Sequence, residues 1–329
     1  MEVMPKRRLQ VARRYHRAPV NLERLRDFAR NHTSAGAIWQ HPAFKAVSPV
    51  VDLADAAVRS SRGLSHLPSF SMRSRAMGPA LQFGGVHFVD SGRTTARQIC
   101  EMAALRPDED VLEVGCSVGR IALAMAEHLE PGRYTGTDVD RKAIAVCLTN
   151  PKLASFRFQA QDVFSLVYNP GGRARGSEYE FPFPDGSFDV VYLTSVFTHM
   201  LPEDIAQYAR EIRRMLRPAG RLVCSVFTVE HRDLAAFPVE RTGYRLRSAE
   251  FPENAVAYPI GEVDRIMSEA GLARSDGAGT AVWGAPANGR LRTLADQDLL
   301  LYVPQPATAG RRAGGSAGGN GAEGRVRGK

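Results

Sequence analysis

The sequence predicts an α/β fold with a doubly wound parallel sheet, on three observations. From Ser91 onward, short apolar runs alternate with longer stretches of helical periodicity, the pattern left by βαβ units. The first apolar run ends in a turn, Glu113-Val-Gly-Cys-Ser-Val-Gly119, that opens a helix. The next two runs each lead into an aspartate, Asp138 and Asp162, where doubly wound folds bind their ligands.

The elements follow in order. Residues 94–105 read as a helix with Asp90 or Ser91 as N-cap and a stop at Arg106-Pro107. Residues 111–114 are a buried strand, and 119–129 a helix closed by Pro131-Gly132. A second strand, 134–138, leads to a helix over 141–148 and a third strand over 156–159. After an irregular insertion, 166–184, a fourth strand covers 188–194. Ile205, Tyr208, Ala209, Ile212, Met215 and Leu216 mark one face of a helix ending at Pro218-Ala-Gly220. A fifth strand over 221–227, a helix over 262–270 and a late apolar run over 299–303 complete the pattern.

The flanks read differently. Residues 36–90 suggest short helices at 44–47 and 50–58, with Pro49, Pro68, Pro79 and Gly84-Gly85 interrupting any long element. Leu22, Leu25 and Phe28 lie at helical spacing in a basic arm, and the Gly/Ala/Arg-rich stretch from Gln305 lacks the apolar residues to order itself. The expected organisation is a basic arm over 1–35, a helical extension over 36–90, the α/β domain over 91–304 and a disordered tail over 305–329.

Composition narrows the function. Of 329 residues, 44% are hydrophobic and 24% charged, which excludes wholesale disorder. No apolar run approaches the roughly 20 residues that span a bilayer, and the basic N-terminal stretch lacks the apolar centre of a secretory signal. The four cysteines show no CxxC spacing, which argues against zinc or a disulfide framework and fits a cytoplasmic location. The net charge of +8 divides unevenly: residues 1–30 carry +6 and 305–329 carry +4, leaving −2 on the rest. The body is therefore a poor phosphate-binding surface, and nucleic acid is not expected as its partner.

The turn after the first strand separates cofactor classes. A dinucleotide fingerprint needs glycine at 115, 117 and 120, where this chain has Gly, Ser and Arg; no Gly-Lys-Ser/Thr of a P-loop follows. An acidic-x-Gly-x-x-x-Gly pattern does match, at Glu113, Gly115 and Gly119. Those glycines are read as ligand-facing or as plain turn glycines. Asp138 is placed to accept both hydroxyls of a ribose. Asp162 is placed to accept from an adenine amino group, or else to cap a helix.

These residues, with Phe183-Pro-Asp-Gly-Ser-Phe-Asp-Val-Val191 and Arg214-Met-Leu-Arg-Pro-Ala-Gly220, resemble the class I S-adenosylmethionine-dependent methyltransferases over roughly residues 84–303. Ser195-Val-Phe-Thr-His-Met200, with Tyr168-Asn-Pro170 upstream, resembles a bacterial subgroup of type 11/12 acting on small molecules. The resemblance implies a seven-stranded sheet of order 3-2-1-4-5-7-6 with strand seven antiparallel, and S-adenosyl-L-methionine as cofactor. It implies Glu113, Gly115 and Gly119 at the methionine end, Asp138 at the ribose and Asp162 at the adenine. Cys116, Ser117, Val139, Gln161 and Val163 complete the implied cofactor-binding set. Two departures are Ser117, where the family often has glycine, and Ala219 in the Pro-Gly-Gly turn.

Methyl transfer is an in-line displacement, so holding the acceptor aligned supplies much of the catalysis, and a hydroxyl acceptor also needs a base. His199, just past the fourth strand, is the candidate base; its other reading is a packing or capping residue. His87 reads as a lid or packing residue, and Tyr258 and Trp283 as acceptor-pocket or core residues. The insertion reads as a lid, with Arg173 and Arg175 toward an anionic substrate, or as a solvated loop. An Asn/Asp-Pro-Pro-Tyr/Phe motif is absent after the fourth strand, which weighs against adenine or glutamine N-methylation. The expected activity is O-methylation of a small metabolite, sugar or lipid-linked precursor, with no metal. The alternatives are RNA or protein methylation anchored by the basic ends, and S-adenosylmethionine binding without catalysis.

Overall fold

The computed structural model describes residues 42–166, 168–231, 234–275, 281–283 and 297–306. The readings made on residues 1–35, on the tail from residue 307 and on the Trp283 side chain lie outside the described residues. In chain order the elements begin with α1 (Pro42–Ser61), α2 (Phe70–Met77), α3 (Val86–Ala103), β1 (Val111–Val114) and α4 (Arg120–Met125). They continue with β2 (Tyr134–Asp138), α5 (Arg141–Leu148), β3 (Arg157–Ala160), β4 (Phe188–Leu193), α6 (Pro202–Met215) and β5 (Leu216–Thr228). Then come β6 (Val239–Arg241), β7 (Tyr244–Leu246), β8 (Val256–Tyr258), α7 (Ile260–Glu269), β9 (Leu272–Arg274), β10 (Ala281–Trp283) and β11 (Gln297–Pro304).

The sheet is doubly wound. Strands β3-β2-β1-β4-β5 run parallel in that order; β11 then pairs antiparallel with β5, and β9 antiparallel with β11. This is the expected 3-2-1-4-5-7-6 order, with β11 as the antiparallel seventh strand. β1, at the centre, is buried along its whole length, as a strand covered on both faces must be. Alternation sends Leu112 and Val114 into one core layer with Ile205, Ile212, Ile266 and Met267 of α6 and α7. Val111 faces the other way, into a layer with Ile99, Ile121 and Met125 of α3 and α4.

Several elements differ from the sequence reading. Pro49 does not break α1, which runs through it. The carbonyl that Pro49 cannot bond is that of Lys45, and the Ser48 hydroxyl donates to it at 3.4 Å. Helix α3 starts at Val86 rather than near Thr94, because Gly84 and Gly85 both take the left-handed conformation (φ +75° and +78°) and launch the helix. β5 starts at Leu216, opposite Phe188, and shifts register before Arg221 meets Val190. Strands β6, β7 and β8 were not expected; each has three residues, too few to leave a readable alternation, and β8 pairs with the last two residues of β5.

Candidate active site

The crevice opens where β1, β2 and β3 end. Thr137 O of β2 accepts from the N–H groups of Gly115 (2.7 Å) and Cys116 (2.9 Å), which tethers the β1 turn to the neighbouring strand. Gly115 has φ +83°, and a Cβ there would lie 2.4 Å from the Val196 Cγ2, so no other residue fits. Ser117 also takes a left-handed conformation, at φ +49°. Its N–H donates to Asp138 Oδ2 at 2.7 Å, while the Asp140 N–H donates to Asp138 Oδ1 at 2.8 Å. Gly119, at φ +80°, caps α4, and a Cβ there would lie 2.9 Å from Leu153 Cδ1 and 3.2 Å from Cys147 Sγ.

Burial pushes the Asp138 carboxyl up to about 6, against the pull of its two N–H donors. It is therefore mostly ionised at neutral pH. Each carboxylate oxygen has about two lone-pair sites, so one on each side remains for the paired hydroxyls of a ribose. Gln161 is buried behind this point: its N–H donates to Asp138 O at 2.8 Å and its amide to Thr137 Oγ1 at 3.1 Å. It holds the strand end rather than lining open space. Val139 is half-buried beside Asp138, and Cys116 and Val163 are buried.

Glu113 sits apart from the turn. Its side chain is in the α3/α4 layer, where Oε2 accepts from the hydroxyls of Tyr134 on β2 and Tyr192 on β4 (2.9 Å for the latter). Burial pushes its carboxyl up to about 7, with the tyrosine hydroxyls and Arg120 opposing. Asp162 lies at the other end of the crevice, its Oδ2 held by Arg173 Nε of the insertion at 2.5 Å, and this bond with its charge keeps the carboxyl below the ordinary range. The Arg173 and Ala174 N–H groups also donate to Asp162 O, so the insertion is anchored at the expected adenine position.

Beyond β4 the chain turns through Ser195, a non-glycine residue at φ +57°. The strained turn is held by Ser225 Oγ, which accepts from the Ser195 N–H at 2.7 Å, and by Gln297 of β11, whose amide donates to Ser195 Oγ at 2.7 Å. His199 ends the short turn Phe197–His199. Its Nδ1 faces Glu253 O at 3.0 Å; a carbonyl only accepts, so Nδ1 carries the proton and Nε2 the lone pair of the neutral ring. Burial holds the imidazole below its ordinary value. Burial also raises Glu253 to about 7 and Asp204 to about 6, and each feels the negative charge beside it, Asp204 and Glu203 respectively. Tyr258 is a core residue whose hydroxyl donates to Met200 O at 2.7 Å. His87 lies half-buried in the first turn of α3 and is held below its ordinary value by burial and by Arg120.

One residue of the crevice carries no signal in the sequence. Arg75 of α2 donates from Nε to Asp140 Oδ2 at 2.5 Å, and its guanidinium lies 5.9 Å from the Tyr168 ring centre. It thus reaches the β2 end from a helix some 65 residues away. Ser195 and Gln297 are similarly distant in sequence, and only the folded sheet brings them together.

The arrangement fits S-adenosylmethionine. The turn glycines keep the backbone open, and the lone pairs left on Asp138 suit a ribose. An amino group can share the Asp162 carboxylate with Arg173. Among the described residues no cluster of three or more His, Cys, Asp or Glu suits a metal ion.

Residues 112–224 match the model of a family described as a methyltransferase domain. The chain is 30% identical over 146 residues to phthiotriol/phenolphthiotriol dimycocerosates methyltransferase 1 of Mycobacterium ulcerans, covering 43% of this chain and 48% of that protein. It is 32% identical over 111 residues to a fatty-acid O-methyltransferase of Mycolicibacterium smegmatis, covering 33% and 34%. The chain thus spans about half the length or less of these curated relatives. A solved structure of 1,6-didemethyltoxoflavin-N1-methyltransferase from Burkholderia thailandensis, holding S-adenosylhomocysteine, is similar at TM-score 0.45 and 18% identity, over 78% of this chain and 91% of that one.

Proposed function

We propose that this protein methylates an oxygen of a small metabolite, sugar or lipid-linked acceptor, using S-adenosylmethionine. The observation that carries the reading is Asp138, ionised and held by two backbone N–H groups at the end of β2, beside a β1 turn with no room for a side chain at Gly115. The cofactor, when bound, supplies an activated methyl group on a sulfonium whose departure leaves a neutral thioether. Asp138 orients it through the ribose, and Asp162 through the adenine. His199, past β4, takes the acceptor's proton on Nε2, with Nδ1 held by Glu253 O. Two relatives, one named as a phthiotriol/phenolphthiotriol dimycocerosates methyltransferase and one as a fatty-acid O-methyltransferase, favour an apolar acceptor over RNA or protein.

The test follows label from methyl-tritiated S-adenosylmethionine in a lysate fractionated into polar metabolites, lipids, RNA and protein. Asp138→Ala and His199→Ala serve as paired variants. Asp138→Ala is expected to weaken S-adenosylhomocysteine binding about 10- to 100-fold, the worth of one or two charge-assisted hydrogen bonds. His199→Ala is expected to keep that binding within about threefold while slowing turnover about 10²- to 10⁴-fold. Label in lipids or metabolites that depends on both residues supports the reading; label in RNA or protein overturns it.

A further inference from the structure

Helix α1 is amphipathic the wrong way round. Its carboxylates face the protein: Asp52 accepts from the Ser71 N–H and hydroxyl, each at 2.7 Å. Asp55 is fully buried, accepting from Arg59, Arg73 and the Gly84 N–H at 2.7 Å each. Many of its apolar residues face outward. Val47, Val50, Leu53, Ala54 and Ala57 form one exposed stripe, with Val50 71% and Leu53 76% exposed. Between Lys45 and Arg62, every exposed residue is Ala, Val, Leu, Pro or Ser. The aromatic series Phe44, Phe70 and Phe83, with centres 6.2 and 6.5 Å apart, carries this surface across to α2 and to the exposed Leu81, Phe83 and Val86. A stripe this long, edged by cations, is what a helix lying on a bilayer surface presents.

We propose that the outward face of α1, with the 81–86 turn, docks this protein on an anionic lipid surface. Charge complementarity selects that occupant. Residues 1–30, just upstream of α1, carry nine Lys/Arg against three Asp/Glu, and Lys45 and Arg62 flank the apolar stripe. Anionic headgroups attract such a segment while the apolar stripe enters the acyl boundary. A second copy of this chain would instead bring two strongly basic segments together. Lys45 and Arg62 have the long stems that let Lys and Arg keep their charges among headgroups. The inference goes beyond the methyl-transfer reading and stands without it, since it uses no residue of the crevice.

The test is co-sedimentation of the full chain with phosphatidylcholine vesicles, with and without phosphatidylglycerol, alongside sedimentation velocity without lipid. Val50→Glu and Leu53→Glu place a charge on the exposed stripe without disturbing any buried contact. Leu148→Glu alters an exposed leucine on α5, outside the stripe, as a control. The wild type is expected to bind the anionic vesicles, each stripe variant to need about tenfold more lipid for half-binding, and Leu148→Glu to match the wild type. Three results would overturn the proposal. One is no binding to either vesicle; another is binding unchanged by the stripe variants, which assigns it to the basic segment alone. The third is a dimer in solution that the stripe variants dissociate, which makes a second copy the occupant.

Discussion

Glu113 shows how one buried carboxyl shapes the stability of this chain. It accepts from two tyrosine hydroxyls inside the α3/α4 layer, yet burial still pushes it up to about 7 from an ordinary 4.5. The folded chain therefore holds a proton there that the unfolded chain has released between pH 4.5 and 7. Stability must fall as pH rises through that window, by up to about 3 kcal/mol from this group. Glu113→Gln keeps the size of the side chain and the carbonyl that the tyrosines need, and it removes the titration. Its stability relative to wild type, from urea unfolding, is expected to be about 1–3 kcal/mol higher at pH 8 than at pH 5. Asp204 and Glu253 titrate in both proteins and cancel in the comparison. A difference independent of pH would mean that the effect is packing, not ionisation. Asp138 was readable from the sequence because it ends a strand. Glu113's tyrosine partners were not, because they sit on neighbouring strands 21 and 79 residues away.

At the scale of elements, the close approach of α3 to α4 fixes where the β1 turn ends. Gly92 of α3 lies so near the start of α4 that a Cβ would stand 2.4 Å from Arg120 O. Arg120 in turn donates to Ser91 O at 3.1 Å and Thr95 Oγ1 at 3.0 Å, tying the two helices together at the point where the β1 turn ends. A backbone oxygen cannot give way as a side-chain tip can. Gly92→Ala is therefore expected to cost about 1–3 kcal/mol in thermal unfolding and to weaken S-adenosylhomocysteine binding several-fold through the displaced turn. Unchanged affinity with lowered stability would show that α4 moves without its turn. The sequence placed this helix late because Gly84-Gly85 read as a break. Paired glycines end a helix when they follow it, but here their left-handed conformation starts one. A single sequence does not say which side of a glycine pair the helix lies on.

On the scale of the whole molecule, the strand order was legible and the edges were not. Parallel strands joined by helices admit few orders, and the resemblance chose among them. The β6–β8 strands left no comparable pattern, because their pairing is set by the body they pack on, and of the α1–α2 cap only the segments 44–47 and 50–58 read as helix. That cap reaches the crevice through a continuous series of contacts. Asp55 holds Arg73, Arg75 of the same helix holds Asp140 at 2.5 Å, and the Asp140 N–H donates to Asp138. Leu67, Phe88, Val118 and Ala143 pack the same junction as a small apolar cluster. A ligand that orders Asp138 should therefore also steady α1 and α2, since each element in the series has one well-bonded arrangement. Amide hydrogen exchange with and without S-adenosylhomocysteine measures this directly. Residues 42–77 are expected to exchange more slowly when the ligand is bound. Arg75→Ala should abolish that slowing while leaving ligand affinity within about tenfold and exchange in β1, β4 and β5 unchanged. If slowing in the cap persists in Arg75→Ala, the coupling runs through the apolar cluster instead. In that case the arginine fastens the cap without reporting on the crevice.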